Sequence, residues 1–399
     1  MRATLSRYRR PVGAWAAMAA LLLVLQHVSA RVTRDRPYRL WPFQGFDWFF
    51  SSWSQFDGPE YLKIVTNGYS YTPGVRSNIV WFPLYPLLVR AVNVVLDQPL
   101  AAAILVALVA GACAAAAVWT WVADRGVGDD DRSRARWFAF GACLLYPYAW
   151  YLYGVVHSDA LFLALVVTAF LMVERRHLVA AGLVGALATA TRPTGMAVIP
   201  ALIVLSLERA GVLQVPEGAT GLVARWQLPV RVDLRAVRPM LFAPLLSVAG
   251  IGAFIFFLWV RFDEPLAFQV NQRVYHPGNL PLLKRAFFVR WRDFGDNPTY
   301  ALTIALQFAM VLVVLWCIPA VIRRFGFGYG VYCAALVAIP TFSTEDFMGT
   351  GRYLIAAFPV WALLGERFSR TRQGWVPLVA SGTLMVALSM GFARSWYLT

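Results

Sequence analysis

The residues in this chain best suited to chemistry are ionisable side chains set among aromatic rings in short breaks of an otherwise apolar sequence. The clearest is Asp57, in the run Trp53-Ser54-Gln55-Phe56-Asp57-Gly58-Pro59-Glu60-Tyr61. Trp48, Phe49, Phe50, Trp53 and Phe56 surround it in sequence. A carboxylate partly desolvated by such rings is a stronger base, fit to take a proton from a hydroxyl. Asp47 is the nearest rival for that work. The same stretch also fits a purely structural reading: Asp57 and Glu60 match a helix capping box, and Gly68 suits the stop of a short helix. Further along, His157 and Asp159 flank Ser158, and Arg192 precedes Pro193. Glu345, Asp346 and Arg352 share one polar break. Asp159 equally suits the first turn of a helix, where its charge favours the dipole. His276, in Tyr275-His276-Pro277-Gly278, reads as a turn residue. Asp129, Asp130 and Asp131 imitate a metal cluster but lie among Arg132, Arg134 and Arg136, so they read as a solvated loop, and no metal site is expected.

These residues need a scaffold, and composition limits what it is. Of 399 residues, 59% are hydrophobic and 14% charged, and the mean hydropathy is +0.58, far from the balance of a soluble domain. Several runs meet the roughly 20 apolar residues that a membrane-crossing helix needs, and the alternation of a β-barrel is absent. The expected class is an all-α polytopic membrane protein. The net charge of +15 is what cytoplasmic loops facing anionic lipid would carry, so no nucleic-acid partner is expected. Cys113, Cys143, Cys317 and Cys333 lie in or beside apolar runs without metal or redox spacing and read as packing residues.

Arg2, Arg7, Arg9 and Arg10 place the start of the first apolar run, Val12 to Ala30, in the cytoplasm. That run, ending in Val28-Ser29-Ala30, also resembles a cleaved leader, but an uncleaved span gives the later loops their orientation. Residues 31–99 are then outside, and Phe82 to Leu96, interrupted by Arg90 and Asn93, reads as an interfacial helix. Further spans are expected at 100–122, 137–152, 158–173, 178–190, 196–207, up to 260, up to 320, 327–339, 353–364 and up to 392. That makes about eleven spans in a single domain over 1–399. Residues 208–238 form a cytoplasmic loop and 261–298 a second outer loop. Counting Phe82–Leu96 as a span would put Arg175-Arg176 and Arg323-Arg324 outside, against the positive-inside rule. In the eleven-span reading Asp57, Glu60, His157, Asp159, Arg192, His276, Glu345, Asp346 and Arg352 share the outer face.

Several stretches resemble a known family. The pattern Phe56-Asp57-x-x-x-Tyr61-Leu62-x-Ile64-x-x-x-Gly68-Tyr69, then Trp81-Phe82-Pro83-Leu84-Tyr85-Pro86-Leu87, is similar to the GPI mannosyltransferase 2 family and its bacterial relatives, which are GT-C glycosyltransferases. Ser158-Asp159-Ala160-Leu161-Phe162, Thr191-Arg192-Pro193-Thr194-Gly195 and Gly351-Arg352-Tyr353-Leu354 with Phe358-Pro359 resemble later elements of that family in the same order. Two departures stand out. Asp159 replaces the family's Glu, and Pro265-Leu266-Ala267-Phe268 is all that remains of its second outer-loop pattern.

The resemblance implies a GT-C-type fold with a long first extracytoplasmic loop carrying interfacial helices, and a matching reaction. Mannose would move, with inversion, from a polyprenyl-phosphate carrier to a hydroxyl of a lipid or glycolipid acceptor on the outer side of the membrane. Asp57 would take the acceptor proton. Arg352, Arg192 and Lys63 are candidates to hold the donor phosphate, since the guanidinium fork matches phosphate oxygens. For the two arginines snorkelling toward headgroups is the structural alternative, and for Lys63 a wet helix face. Tyr61, Tyr85, Glu60, His157, Asp159 and Asp47 complete the candidate site, with no cofactor implied. A GT-C enzyme using another polyprenyl sugar, such as arabinose or glucose, and a lipid or sugar transporter or flippase are the alternatives. Transporters commonly show paired repeats and midplane charges, which this sequence lacks. The Arg- and Ala-rich composition, with Lys63 and Lys284 the only lysines, points to a bacterial plasma membrane.

Overall fold

The computed structural model describes residues 2–32, 50–130, 133–216, 219–229, 231–275, 298–343, 347–396 and 398. Asp47, Asp131, His276, Glu345 and Asp346 lie outside the described residues. In chain order the helices are α1 Arg2–Val32, α2 Gly58–Asn67, α3 Leu84–Leu96, α4 Pro99–Asp124, α5 Arg134–Leu144 and α6 Asp159–Glu174. Then come α7 Leu178–Thr189, α8 Val198–Arg209, α9 Gly221–Trp226, α10 Val248–Phe262 and α11 Ala267–Tyr275. The last five are α12 Pro298–Phe325, α13 Phe327–Ser343, α14 Thr350–Tyr353, α15 Phe358–Phe368 and α16 Trp375–Ala393. A two-residue antiparallel ladder, β1 Leu213–Gln214 with β2 Arg231–Val232, is the sheet structure among the described residues.

Five segments among the described residues are long and apolar enough to cross a membrane: Arg7–Val32, Pro99–Asp124, Pro239–Phe262, Tyr300–Phe325 and Trp375–Ala393. The shortest has 19 residues, which at 1.5 Å rise gives about 28 Å, close to the thickness of the hydrocarbon core. The chain is therefore a helical, membrane-embedded protein.

Two of the remaining expected spans are broken. The run 137–152 is not one helix: α5 stops at Leu144, and a separate 3-10 turn covers Ala149–Leu152. Pro147 supplies no backbone donor and keeps Tyr146 out of helical geometry, which ends the ladder there. The 353–364 run likewise divides at Ala357 and restarts in α15 with Pro359 in its first turn. The segment Phe82–Leu96 contains α3, whose 13 residues extend only about 20 Å. One side of α3 buries Tyr85, Pro86 and Val89, whereas Val94 and Val95 are more than four-fifths exposed.

The chain forms two compact units. One comprises Met1–Ala164, Leu266–Pro277 and Gly365–Thr399. In it α1 packs on α4 and α16. Trp15 stacks on Tyr153 at 6.1 Å and donates its indole N–H to Leu152 O at 3.0 Å. Ser29, within the leader-like motif, is buried. Its hydroxyl donates to Met390 O at 3.1 Å and accepts from Arg394 Nε at 2.9 Å, so α1 is part of this unit's core. A second core joins α2, α3 and α4 through Tyr61, Leu62, Val65, Tyr85, Val89 and Leu100. Helix α11 pins the connection between α2 and α3. The buried Asn271 accepts from Ser77 N at 3.0 Å and donates to Val75 O at 2.7 Å, while Phe268 packs edge-on to Phe82 at 5.5 Å.

The other unit comprises Leu165–Pro265 and Gly278–Leu364. Here α7 lies against the 3-10 run Pro239–Ser247, and α13 packs on α8 and α12. At one end of these helices Arg209 pairs with Glu174 at 2.9 Å and donates to Phe325 O at 2.6 Å. Glu174 also accepts from the Tyr329 hydroxyl, and Glu208 accepts from Gly328 N. The turn from α12 to α13 is thereby fastened to the ends of α6 and α8.

Candidate functional site

Asp57 stands at the entrance to α2, and its carbonyl accepts from Glu60 N and Tyr61 N, both at 3.1 Å. The capping box of the structural alternative is not formed. Asp57 has helical torsions (φ −72°, ψ −20°) rather than the extended torsions of a capping residue, and its side chain makes no capping hydrogen bond. Glu60 pairs with Lys63 at 2.6 Å instead. Gly68 does end α2 at positive φ (79°), its N–H donating to Ile64 O.

The residue before Asp57 is in an unfavourable conformation: Phe56 has φ +55°, a left-handed torsion that costs a bulky residue about 1–3 kcal/mol. Surrounding contacts over-determine it. The Phe56 ring meets Phe392 of α16 at 5.4 Å. Gln55 donates to Ser51 O at 3.1 Å and accepts from the Ser395 hydroxyl at 3.0 Å. These contacts fix the turn that leads into Asp57.

What Asp57 faces is His157, whose Nε2 lies 3.7 Å from Asp57 Oδ2. Two irregular segments are laced together to achieve this. Val156 N donates to Trp53 O at 2.9 Å, and the Tyr61 hydroxyl donates to Ser158 Oγ at 3.1 Å. The approach demands glycine at position 154, and at position 58 a larger residue would have to push the Ser54 hydroxyl of its own segment aside. A Cβ at Gly154 (φ +103°) would sit 2.2 Å from the Trp53 ring, and one at Gly58 would sit 2.7 Å from Ser54 Oγ. His157 is buried, with Tyr151, Phe392 and Tyr61 rings at 4.9, 6.0 and 6.3 Å. The Asp57 side chain keeps 28% of its surface exposed. One side of this carboxylate is thus held against imidazole and aromatic walls while the other remains reachable. A group so placed can accept a proton from an incoming hydroxyl.

The neighbouring candidates gather around Tyr61. Its ring lies edge-on to Tyr85 at 5.0 Å, and the Tyr85 hydroxyl donates to Ala103 O at 3.0 Å. Burial, then Tyr61 and Asp159, push the Tyr85 phenol well above its ordinary value, so it stays neutral. Burial does the same to Tyr69. Asp159 is itself buried at the first turn of α6. Trp53 Nε1 and Ser54 Oγ are buried without a hydrogen-bond partner among the described residues.

In the other unit Arg192 and Arg352 converge on one ring. Their guanidinium carbons lie 4.9 Å and 5.4 Å from the centre of Tyr353. Arg192 adopts an extended conformation just before the 3-10 turn Pro193–Ala197, while Arg352 belongs to α14. Both are buried, at 6% and 9% exposure, which is the opposite of snorkelling toward headgroups. Two buried guanidiniums beside one ring are chemically suited to accept an anion. Lys63 is different: it is 37% exposed and paired with Glu60 one turn away on α2, as a wet helix face would have it.

Compared with known proteins, the chain matches no family model, no curated protein and no solved structure. A function must therefore be argued from these residues. Sequence reasoning missed several that shape the two clusters. Phe392 and Ser395 reach the Asp57 turn from the far end of the chain. Buried Gln307 accepts from Gly351 N at 2.9 Å and steadies the backbone beside Arg352. A lone amide within the apolar run of α12 was the available signal for Gln307. Nothing local marks Phe392.

Proposed function

We propose that this chain is an inverting membrane glycosyltransferase of the GT-C class, moving mannose from a polyprenyl-phosphate donor to a hydroxyl of a lipid or glycolipid acceptor. The observation that carries the reading is Asp57. It follows a strained Phe56, is relieved of any side-chain capping role, stays partly exposed and is backed by His157. Inverting displacement needs one carboxylate to take the acceptor proton as the sugar carbon turns electron-poor, and Asp57 does this. Arg352 and Arg192 stabilise the lipid phosphate as it leaves, through the guanidinium geometry that Tyr353 organises.

In this proposal the chain has eleven spans with its N-terminus in the cytoplasm of a bacterial cell and its chemistry at the outer face of the plasma membrane. Helix α3 lies in the interface, where its exposed apolar side meets lipid. The test is a membrane assay with radiolabelled polyprenyl-phosphate-mannose and a lipid extract as acceptor. Label should pass to a lipid product with wild-type protein and fall by about 10²–10⁴-fold with Asp57→Asn. Undiminished transfer by Asp57→Asn would sink the assignment. Lipid mass spectrometry of a deletion strain, searched for a species short by one hexose, identifies the acceptor.

A further inference from the structure

Of the buried titratable groups near Asp57, His157 is the one whose ring nitrogen faces the carboxylate. His157 is 1% exposed, and its Nε2 faces Asp57 Oδ2 at 3.7 Å. Its ring is bounded by Tyr151 and Phe392 as well as Tyr61. The backbone on either side is fixed, by Val156 N to Trp53 O before it and Tyr61 to Ser158 Oγ after it. A histidine retained among apolar rings at such an exact place, with its neighbours locked to the Asp57 segment twice over, is more than core filler. Burying a polar ring carries a desolvation cost that a Phe would avoid.

We infer that His157 is a positioning residue for Asp57: its Nε2–H holds Oδ2, turning Oδ1 toward the acceptor hydroxyl. The inference rests on the glycosyltransferase reading. The present separation is longer than a direct hydrogen bond, and such pairs close when substrate fills the site. When the acceptor proton passes to Oδ1, the carboxylate loses its charge while the imidazole keeps its own proton. His157 therefore orients the base without exchanging protons with substrate. Among the described residues, Asp57, Tyr61 and Tyr151 are charged or titratable groups that face the ring, with Asp159 two residues on.

The experiment has two arms on the full-length protein in lipid nanodiscs. In the first, ring-nitrogen NMR of labelled histidine follows His157, one of four histidines, identified by the signal lost in His157→Gln. Asp57→Asn should shift that signal, and an unmoved signal overturns the coupling whether or not the protein transfers sugar. In the second, His157→Ala should lower kcat about 10²-fold through misplacement of the base, leaving the donor KM within about twofold, because a group acting only on the base alters the transition state rather than donor binding. His157→Gln, which keeps a donor at the Nε2 position, should recover most of the loss and serves where the alanine variant does not fold. The double variant Asp57→Asn, His157→Ala should be no slower than Asp57→Asn alone, since the two act as a unit. Full activity in His157→Ala beside an inactive Asp57→Asn removes His157 and leaves the reading intact. Normal transfer by Asp57→Asn removes the reading itself, and the NMR arm still decides the pair.

Discussion

The hydroxyl of Ser395 donates to Oε1 of Gln55 at 3.0 Å, joining the end of the chain to the turn that carries Asp57. Phe392 reinforces the join by packing on Phe56, Tyr151 and His157. The last segment of α16 is therefore a wall of the candidate site and not a trailing anchor. Loss of the Ser395 hydroxyl should cost only about 1 kcal/mol, the net worth of one hydrogen bond. Phe392→Ala removes a fully buried ring and should cost about 3–5 kcal/mol. Thermal unfolding in detergent separates them: a large drop in Tm for the phenylalanine variant and a small one for the serine variant. Equal, small drops would show that the wall is not packed as described.

Asp57 separates the capping and chemical readings cleanly. A carboxylate that caps a helix costs about 0.5–2 kcal/mol when replaced by Ala. Here the side chain makes no capping bond, so Asp57→Ala should leave the unfolding midpoint close to wild type while transfer collapses. A variant that loses stability in proportion to activity would return the residue to a structural role.

Tyr353 is the common support of two buried guanidiniums. Tyr353→Phe keeps the ring face and should leave donor KM unchanged. Tyr353→Leu loses the cation–π contribution, worth about 0.5–2 kcal/mol per arginine, and should raise donor KM several-fold. Arg352→Lys replaces a fork by a point charge and should do the same. Steady-state assays across donor concentrations decide this, and a leucine variant indistinguishable from wild type would uncouple Tyr353 from the arginines.

Tyr85 supplies a pH signature. Its phenol is held neutral by burial, with Tyr61 and Asp159 adding to the effect, so the folded chain binds this proton more tightly than the unfolded one. A raised folded-state value gives stability that is intact below the ordinary tyrosine pKa of about 10 and lost as pH climbs past it. The Tm of detergent-solubilised protein should fall above about pH 10, and Tyr85→Phe, which cannot ionise, should fall less steeply. Parallel curves for the two proteins would assign the alkaline loss to other groups.

What was legible in the sequence follows the range of the forces involved. Helices such as α4 and α12 announce themselves because lipid demands an unbroken apolar run. The break after Leu144 was written in Pro147 and overruled by the hydropathy of the surrounding aromatics. Asp57 was visible from its neighbours, but its capping role was misjudged. Torsions at Phe56 and Asp57 are set by contacts with Phe392, Ser395 and Val156, none of which is local. The pairing of Arg192 with Arg352 around Tyr353 is likewise tertiary, and no spacing rule could have placed it.

The Glu174–Arg209 pair is the clearest structural use of charge in the chain. Arg209 gives Nε and an amino group to the two Glu174 oxygens at 2.9 and 3.1 Å, and the same amino group donates to Phe325 O at 2.6 Å. Glu174 also accepts from Tyr329 at 3.0 Å. Glu174→Ala leaves the Tyr329 phenol short of an acceptor and Arg209 with Glu208 at 3.3 Å as its remaining carboxylate, and should cost up to about 3 kcal/mol, the lower end for a broken buried pair because that second partner and some solvent contact remain. Arg209→Ala additionally frees the carbonyl that ends α12 and should cost at least as much. The double variant should lose less than the sum of the two, since neither charge is then left alone. Tm measurements on the three proteins test this. Strict additivity would mean that the ion pair contributes nothing to holding the α12–α13 turn, and that the Phe325 carbonyl bond does so alone.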